Sequence, residues 1–189
     1  MELHIDTLHT PIGEMLVVVE NNDICSLDFV ECETRMMELL GKRYKSFSLK
    51  RRSDPCGVTT AIRAYFAGNL KALGSIPVAT GGTVFQQKVW QALRTIAPAT
   101  TLSYSELALQ IGHSKAARAV GLANSLNPVA LIVPCHRVIG ASGTLTGYAG
   151  GLERKEWLLH HEKQHVSKEK EEIAVESIEE PPLMAGSVC

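Results

Sequence analysis

Residues 103–124 of this chain, SYSELALQIGHSKAARAVGLAN, contain two short helical patterns with a glycine between them. The first four residues form a capping box, in which serine and glutamate side chains satisfy free amides at the start of a helix. Gly112-His113 interrupts the first pattern, and Ser114 is expected to cap a second helix over Lys115 to Asn124. Two helices joined by a short glycine-containing turn are typical of a helix-turn-helix, although plain packing of two helices fits the same spacing.

The second of these helices is rich in small residues, with alanine at positions 116, 117, 119 and 123. Small side chains let a helix lie close against a partner, either another helix or a nucleic-acid groove. The surrounding segment 84–137 carries five basic residues and one acidic residue, whereas the whole chain has a net charge of −1. A modestly basic segment suits a phosphate surface, but solvated helix faces have the same composition, so charge leaves both interpretations open.

Downstream of these helices, residues 132–139 (IVPCHRVI) place one cysteine in an unusual setting. Cys135 follows a proline and is followed at once by His136 and Arg137. The thiolate is the nucleophilic form of cysteine, and cationic or hydrogen-bonding neighbours raise its population, so this pattern favours a reactive thiol over an inert core residue. The apolar run Val129 to Val133 predicts a short buried strand that delivers Cys135.

The first part of the chain predicts a small α+β unit over residues 1–78. Period-two and turn patterns predict three strands, and apolar periodicity predicts two helices. The expected elements are strands at Leu3–Leu8, Met15–Glu20 and Ile24–Val30, and helices at Glu33–Leu40 and Val58–Phe66.

Residues 79–83 are a predicted linker, and Thr83 is a natural cap for a helix with an apolar stripe ending at Ile96. The second domain is expected to span residues 84–162, with a glycine-rich hairpin or wing within 140–151 and a last helix over Leu152 to Glu162. Residues 163–189 hold three lysines, six glutamates and no aromatic residue, which predicts a disordered tail.

The five cysteines are odd in number, and no two are spaced C-x-x-C. This pattern indicates free thiols in a reducing compartment rather than disulfides. A zinc site built from Cys25, Cys32, Cys56 and His4 is the less favoured alternative, so no metal is expected. An apolar stretch long enough to span a membrane and a signal-peptide pattern are both missing from the sequence, which leads us to expect a cytoplasmic protein, or a nuclear one in a eukaryote.

Several motifs taken together resemble one family, the O6-alkylguanine-DNA alkyltransferases, also called methylated-DNA–protein-cysteine methyltransferases. The resemblance is specific over residues 83–162, is looser over 1–78, and at Arg63–Leu70 is similar to the bacterial stand-alone form. It implies an α+β fold, with a ribonuclease-H-like N-terminal sheet and helices and a mainly helical, winged-helix or helix-turn-helix C-terminal domain. The motifs are Asn127-Pro128, Pro134–Ile139, Gly147–Gly151 and Lys155–Leu159.

The resemblance implies a repair protein that flips O6-alkylguanine, and by extension O4-alkylthymine, out of double-stranded DNA and takes the alkyl group irreversibly onto Cys135. His136 would activate the thiol through a water molecule, and Glu162 would orient His136. Asn127 would tie the helix-turn-helix to the active-site segment, and Tyr148 would hydrogen-bond the guanine ring. A monomer without a cofactor is implied, with cooperative binding along DNA left open.

For DNA, the resemblance implies that Arg118 fills the space of the flipped base and that Tyr104 crowds the 3′ phosphate. The alanine-rich helix would enter the minor groove. Its other implied contacts are Ala116, Ala117, Gly121 and Asn124, and the implied substrate contacts besides Tyr148 are Val138, Ala149 and Gly150. The sequence departs from the family at Ala149, where many relatives carry serine, and at Leu122 and Asn124, which differ from the mammalian form.

Three other functions remain open from the residues. A non-catalytic binder of alkylated DNA would lack the cysteine, which is present here. A cysteine hydrolase using Cys135 and His136 would turn over and would not need a helix-turn-helix. A winged-helix regulator would need several side chains that reach base edges, and the alanine-rich helix offers mainly Arg118 and Asn124.

Overall fold

The structure, a computed structural model, describes residues 1–179 and begins with a four-stranded sheet. The strands β1 (Glu2–Thr10), β2 (Gly13–Glu20) and β3 (Asp23–Phe29) form an antiparallel meander. A fourth strand, β4 (Ser48–Arg51), pairs parallel to β1, giving the order β3-β2-β1-β4. The sequence predicted the first three strands but not β4, a short and mostly exposed edge strand whose polar residues lack an alternating apolar pattern.

Two helices cover the two faces of this sheet. Helix α1 (Glu33–Arg43) buries Met36 and Leu40 in a small core that includes Val18 of β2. Helix α2 (Val58–Phe66), whose bounds match the prediction, buries its apolar side in a larger core that includes Val17. Adjacent residues of β2 therefore enter different cores, as the period-two geometry of a strand requires.

The second half contains α3 (Val84–Arg94), α4 (Tyr104–Gln110) and α5 (Ala117–Ser125). The predicted capping box of α4 forms, and Thr83 caps α3 with a box of its own. The prediction that Ser114 caps α5 is wrong, because residue 116 occupies the capping position without a side-chain bond and the backbone turns at 113–116. The second half also contains two short strands, β5 (Leu102–Ser103) and β6 (Val138–Ile139), which pair in parallel.

The segment before Cys135 is a buried turn rather than the predicted strand. Val129 makes one isolated bridge to Leu27 of β3, and the Ala130 amide donates to the Leu27 carbonyl at 2.9 Å. Leu131 then takes a left-handed conformation with φ of 68°, which ends any extended run. Strong burial made the segment resemble a strand, since periodicity does not distinguish a buried turn from a buried strand over so few residues. Residues 140–151 likewise contain no strand and hence no hairpin in the structure.

The last helix, α6 (Leu152–Glu179), continues well beyond its predicted end at Glu162. Residues 163–179 are thus helical and not disordered, while 180–189 lie outside the described residues. Lysine and glutamate are good helix formers, so the composition that suggested disorder also supports an exposed helix. Contacts with the first half add to this, since Lys71 pairs with Glu169 at 2.6 Å.

One large core includes residues of α2, α3, α5 and the turn at 129–133. The division into domains 1–78 and 84–162 therefore stays a prediction, because the two parts share this core. Among the described residues, no helix combines the length and apolar character needed to cross a bilayer.

Candidate active site

Cys135 lies where three elements meet: the buried turn at 129–133, strand β6 and helix α6. It is the first residue of a 3-10 turn over Cys135–Arg137 and is only 5% exposed. Burial raises the pKa of the Cys135 thiol, although a hydrogen bond with Asn127 and the charge of Lys155 act in the opposite direction. The resting sulfur is therefore protonated, and its use as a nucleophile requires a base.

His136 and Glu162 are fully buried and in contact. The Nε2 atom of His136 lies 2.9 Å from Oε1 of Glu162. A carboxylate only accepts hydrogen bonds, so Nε2 carries the proton and Nδ1 is left with a free lone pair. Nδ1 has no hydrogen-bond partner among the described residues. Burial lowers the pKa of His136, so the neutral ring with a basic Nδ1 is the resting form.

The Glu162 carboxylate is held by donors from several parts of the chain. Arg137 donates through Nε and Nη2 to Oε1 at 3.1 and 2.8 Å, and the Ala99 amide donates to Oε2 at 2.9 Å. Burial alone would raise the pKa of Glu162, but the hydrogen bond from His136 and the hydrogen bonds and charge of Arg137 hold it well below its usual range. The sequence indicated Arg137 as a neighbour of the thiol but not as the counter-ion of Glu162.

Asn127 ties the end of α5 to the turn before Cys135. Its side-chain amide donates to the Val133 carbonyl at 2.8 Å, and its Oδ1 accepts from the Val129 amide at 3.0 Å. Arg35 of α1 donates to the Asn127 carbonyl at 2.9 Å and forms an ion pair with buried Asp28 of β3. Arg35, in the first half of the chain, thus helps to hold Asn127 in place. No local motif indicated this contact between distant positions.

Tyr148 stands beside this centre with a buried hydroxyl that has no partner among the described residues. Burial and the nearby Cys135 raise the pKa of Tyr148 well above its usual range, so the hydroxyl keeps its proton and remains a donor.

Lys155 of α6 lies in one of the family motifs but was not predicted as a site residue, and it is fully buried. Its ammonium donates to the carbonyls of Val138 at 2.6 Å and Thr146 at 2.7 Å, which fastens the loop before Tyr148 to β6. Burial lowers the pKa of Lys155. In the sequence, Lys155 is a lysine that follows a glycine-rich loop at the start of a predicted helix. An exposed helical lysine has the same local sequence, so the sequence alone did not indicate that Lys155 is buried.

Asn124, which the resemblance implied as a DNA contact, has a buried side chain. It is 6% exposed and donates through Nδ2 to the Cys135 carbonyl at 3.2 Å. Val138 is an implied substrate contact, and the carbonyls of Cys135 and Val138 each already accept one bond, from Asn124 and from Lys155. A carbonyl has a second lone pair, so both remain able to accept another bond.

The other predicted DNA contacts form a surface around α5. Arg118 is exposed, and the described residues give it no hydrogen bond or ion pair. Tyr104 lies against Gly121 and donates to the Thr146 carbonyl at 3.2 Å. Leu122 is 62% exposed. The remaining small residues, Ala116 and Ala117, are half-buried.

Two predicted substrate contacts lie in the loop that joins β6 to α6. Ala149 is exposed, and its carbonyl accepts weakly from the Cys32 thiol at 3.5 Å. Gly150 packs so tightly that a Cβ there would lie 2.4 Å from the Phe29 ring, which explains the glycine. In the part of the chain that the structure describes, no three His, Cys, Asp or Glu side chains are grouped to hold a metal ion.

Comparison with known proteins gives the same family for both halves. A family model described as the DNA binding domain of 6-O-methylguanine DNA methyltransferase matches residues 84–164, and one described as its ribonuclease-like domain matches residues 3–80. A methylated-DNA–protein-cysteine methyltransferase of Shigella flexneri is 46% identical over 160 residues, covering 83% of this chain and 94% of the relative.

Comparison with solved structures gives the same family as the sequence comparisons. The O6-methylguanine methyltransferase of Mycobacterium tuberculosis is similar with a TM-score of 0.73 and 41% identity, covering 86% of this chain and 94% of that chain. A structure of the Mycobacterium tuberculosis protein OGT in complex with DNA gives a TM-score of 0.72 at 41% identity, covering 87% and 94%. These findings confirm the α+β fold class and the family resemblance read from the motifs.

Proposed function

The chain belongs to the family of methylated-DNA–protein-cysteine methyltransferases, and on this premise we propose that it repairs DNA by moving an alkyl group from O6 of guanine onto its own Cys135. The observation that carries the assignment of roles is the buried chain of contacts from Glu162 to His136. It leaves Nδ1 of His136 unprotonated and without a partner among residues 1–179, next in sequence to the buried thiol. A base that is neutral, oriented and adjacent to a protonated thiol is what activation of a nucleophile requires.

In the proposed reaction, the Cys135 proton passes to Nδ1 of His136 through a bridging water molecule. The thiolate then attacks the alkyl carbon, so that a sulfur–carbon bond forms while the bond from that carbon to O6 breaks. The electron pair of the broken bond stays on the guanine, which takes up one proton. The unpaired hydroxyl of Tyr148 supports this step as a donor to the developing charge on the leaving base.

The product explains why the protein acts once. A thioether at Cys135 has no good leaving group, so the alkyl chain stays on sulfur. Each chain is therefore consumed by one repair event. We propose the same chemistry for O4-alkylthymine, which presents the same alkyl–oxygen bond.

The alkylated base is stacked inside the duplex, so it must be rotated out to meet Cys135. We propose that α5 enters the minor groove and that Arg118, which is exposed and has no partner within the described part of the chain, occupies the vacated space. Tyr104, at the start of α4, is placed beside the same surface and is assigned to the adjoining phosphate. Every group assigned to the reaction comes from one chain, so a monomer suffices.

The alternatives are less well supported. A non-catalytic binder would have no use for the Cys135–His136–Glu162 arrangement. A hydrolase would turn over, and a sequence-reading regulator would need more base-reading side chains than α5 exposes.

The test is an intact-mass measurement after incubation with a duplex oligonucleotide that contains O6-methylguanine. One methyl group should appear on Cys135, and the reaction should stop at one equivalent. Cys135→Ala should abolish transfer and keep DNA binding, whereas Cys56→Ala, at an exposed cysteine remote from the site, should transfer normally. Turnover beyond one equivalent, or methylation of Cys135→Ala, would overturn the proposal.

A further inference from the structure

The Glu162 carboxylate has a donor from the first half of the chain that neither the sequence nor the family motifs indicated. Tyr65 is fully buried in the last turn of α2, and its hydroxyl donates to Oε1 of Glu162 at 2.8 Å. The Tyr65 carbonyl lies 3.0 Å from Nε2 of His161, the residue that precedes Glu162 on α6. The end of α2 therefore contacts α6 at two successive positions.

The oxygen that Tyr65 contacts is the one that matters for the base. Oε1 also accepts from Nε2 of His136, whereas the Ala99 amide binds Oε2. Donors that share one oxygen share its negative charge, so the tyrosine hydroxyl limits the charge that Glu162 presents to the imidazole. Burial, followed by the charge of Glu162, raises the pKa of Tyr65 well above its usual range, so the hydroxyl stays a donor throughout the working pH range.

Resting on the proposed function, we infer that Tyr65 is a positioning residue for alkyl transfer. It holds Oε1 in line with Nε2 of His136 and limits the basicity of the carboxylate, so that Nδ1 stays unprotonated and available to the thiol. The N-terminal half thereby contributes to the chemistry at Cys135 and not only to the fold.

Removing the hydroxyl should have a specific chemical signature. The other charged and titratable groups that face Glu162 and His136 stay in place in a Tyr65→Phe variant. They are Arg137, Lys155 and His161. With one donor fewer, the carboxylate becomes more basic and stabilises the protonated imidazole, so the pKa of His136 rises. Since the base must be neutral, the acidic limb of the rate profile should move to higher pH.

The experiment measures single-turnover transfer by Tyr65→Phe and the wild-type chain across a pH series. The substrates are the O6-methylguanine duplex and free O6-benzylguanine. We expect a loss of about three- to tenfold near neutral pH on both substrates alike, the scale of one typical intramolecular hydrogen bond, with the acidic limb shifted upward. Tyr44→Phe is the matched control, because the Tyr44 hydroxyl also donates to a carboxylate, Glu20, at 2.5 Å but remote from Cys135.

A second comparison separates positioning from a structural role. In a Glu162→Gln background, Tyr65→Phe should cause no further loss, since its effect passes through the carboxylate. Thermal denaturation and duplex binding, measured alongside, identify any variant that fails to fold. The inference is overturned if Tyr65→Phe matches the wild type, or if it is slower with an unshifted pH profile. If the wild-type chain itself transfers no methyl group, it is the proposed function that fails.

Discussion

The buried centre around Glu162 and the exposed face of α5 differ in how completely their polar groups are paired. In the centre, Glu162 accepts hydrogen bonds from four residues, and Nδ1 of His136 and the Tyr148 hydroxyl are buried without a partner among the described residues. On α5, Arg118 has no partner at all among the described residues. We therefore propose that the buried centre is preformed, whereas the exposed groups of α5 find their partners in the DNA. Mutations in the buried centre should therefore lower both stability and alkyl transfer, whereas mutations on the exposed face of α5 should slow transfer from duplex DNA and leave stability unchanged.

The largest effect on stability and on transfer should come from a substitution in the buried centre. Glu162→Gln removes the charge that compensates Arg137, and a buried charge left unpaired costs about 3–5 kcal/mol. We expect the free energy of unfolding in urea to fall by about that amount, with transfer to Cys135 reduced at least about 100-fold. Glu169→Gln on the same helix is the control, because its ion pair with Lys71 is exposed and should contribute little. Equal stability of the two variants would contradict the role given to Glu162.

The same residue sets the pH dependence of stability. The pKa of Glu162 is below its ordinary value of 4.5, so the folded state binds its proton less readily than the unfolded state does. Its contribution is therefore fully present above about pH 5.5 and is lost as the pH falls below 4.5 toward the folded pKa. The difference between the wild type and Glu162→Gln, measured by urea denaturation, should narrow in that acidic range and stay constant at neutral pH.

The contrast between the two regions also explains what the sequence could predict. Local signals worked where the cause is local, as in the capping box at Ser103 and Glu106 and the bounds of α2. The residues around Cys135 were recognisable because the motif places thiol and imidazole side by side. Tyr65 and Arg35 were not, because their partners lie 97 and 92 residues away, and only the folded chain brings them together.

Three features of the structure differ from the sequence prediction because long-range contacts or exposure decide them, and local sequence does not report these. Residues 129–133 are buried by contact with β3, so their apolar run records an environment and not a strand. Asn124 faces inward because the Cys135 carbonyl lies behind α5, which helical periodicity alone does not reveal. Helix α6 extends past Glu162 because its charged residues favour an exposed helix, where composition alone suggested disorder.

A smaller effect is expected on the exposed side. Arg118→Ala should leave folding unchanged and should slow transfer from duplex DNA about tenfold while leaving reaction with free O6-benzylguanine close to the wild-type rate. The reason is that the guanidinium acts on the duplex and has no contact with the buried centre. The measurement is the ratio of the two single-turnover rates.

Lys115→Ala provides the comparison for Arg118. Lys115 is exposed just before α5, and we expect it to contact phosphate rather than bases. Its loss should weaken duplex binding and reduce the dependence of affinity on salt by about one ion, without changing the ratio of rates. An equal loss on duplex and free base in Arg118→Ala would contradict its role in base flipping.

The smallest expected effect is on the free energy of unfolding and comes from the backbone strain at Ala99, beside Glu162. Ala99 presents its amide to Glu162 from a left-handed conformation with φ of 60°, which disfavours any residue with a Cβ. Glycine relieves this strain but loses more entropy on folding, so Ala99→Gly should stabilise the chain by a net of about 0.5 kcal/mol. Ala92→Gly, in the regular helix α3, should instead destabilise it by about 1 kcal/mol. Opposite signs in urea denaturation would show that the hydrogen bond to Glu162 is maintained against backbone strain, whereas a loss of stability in both variants would mean that Ala99 is not strained.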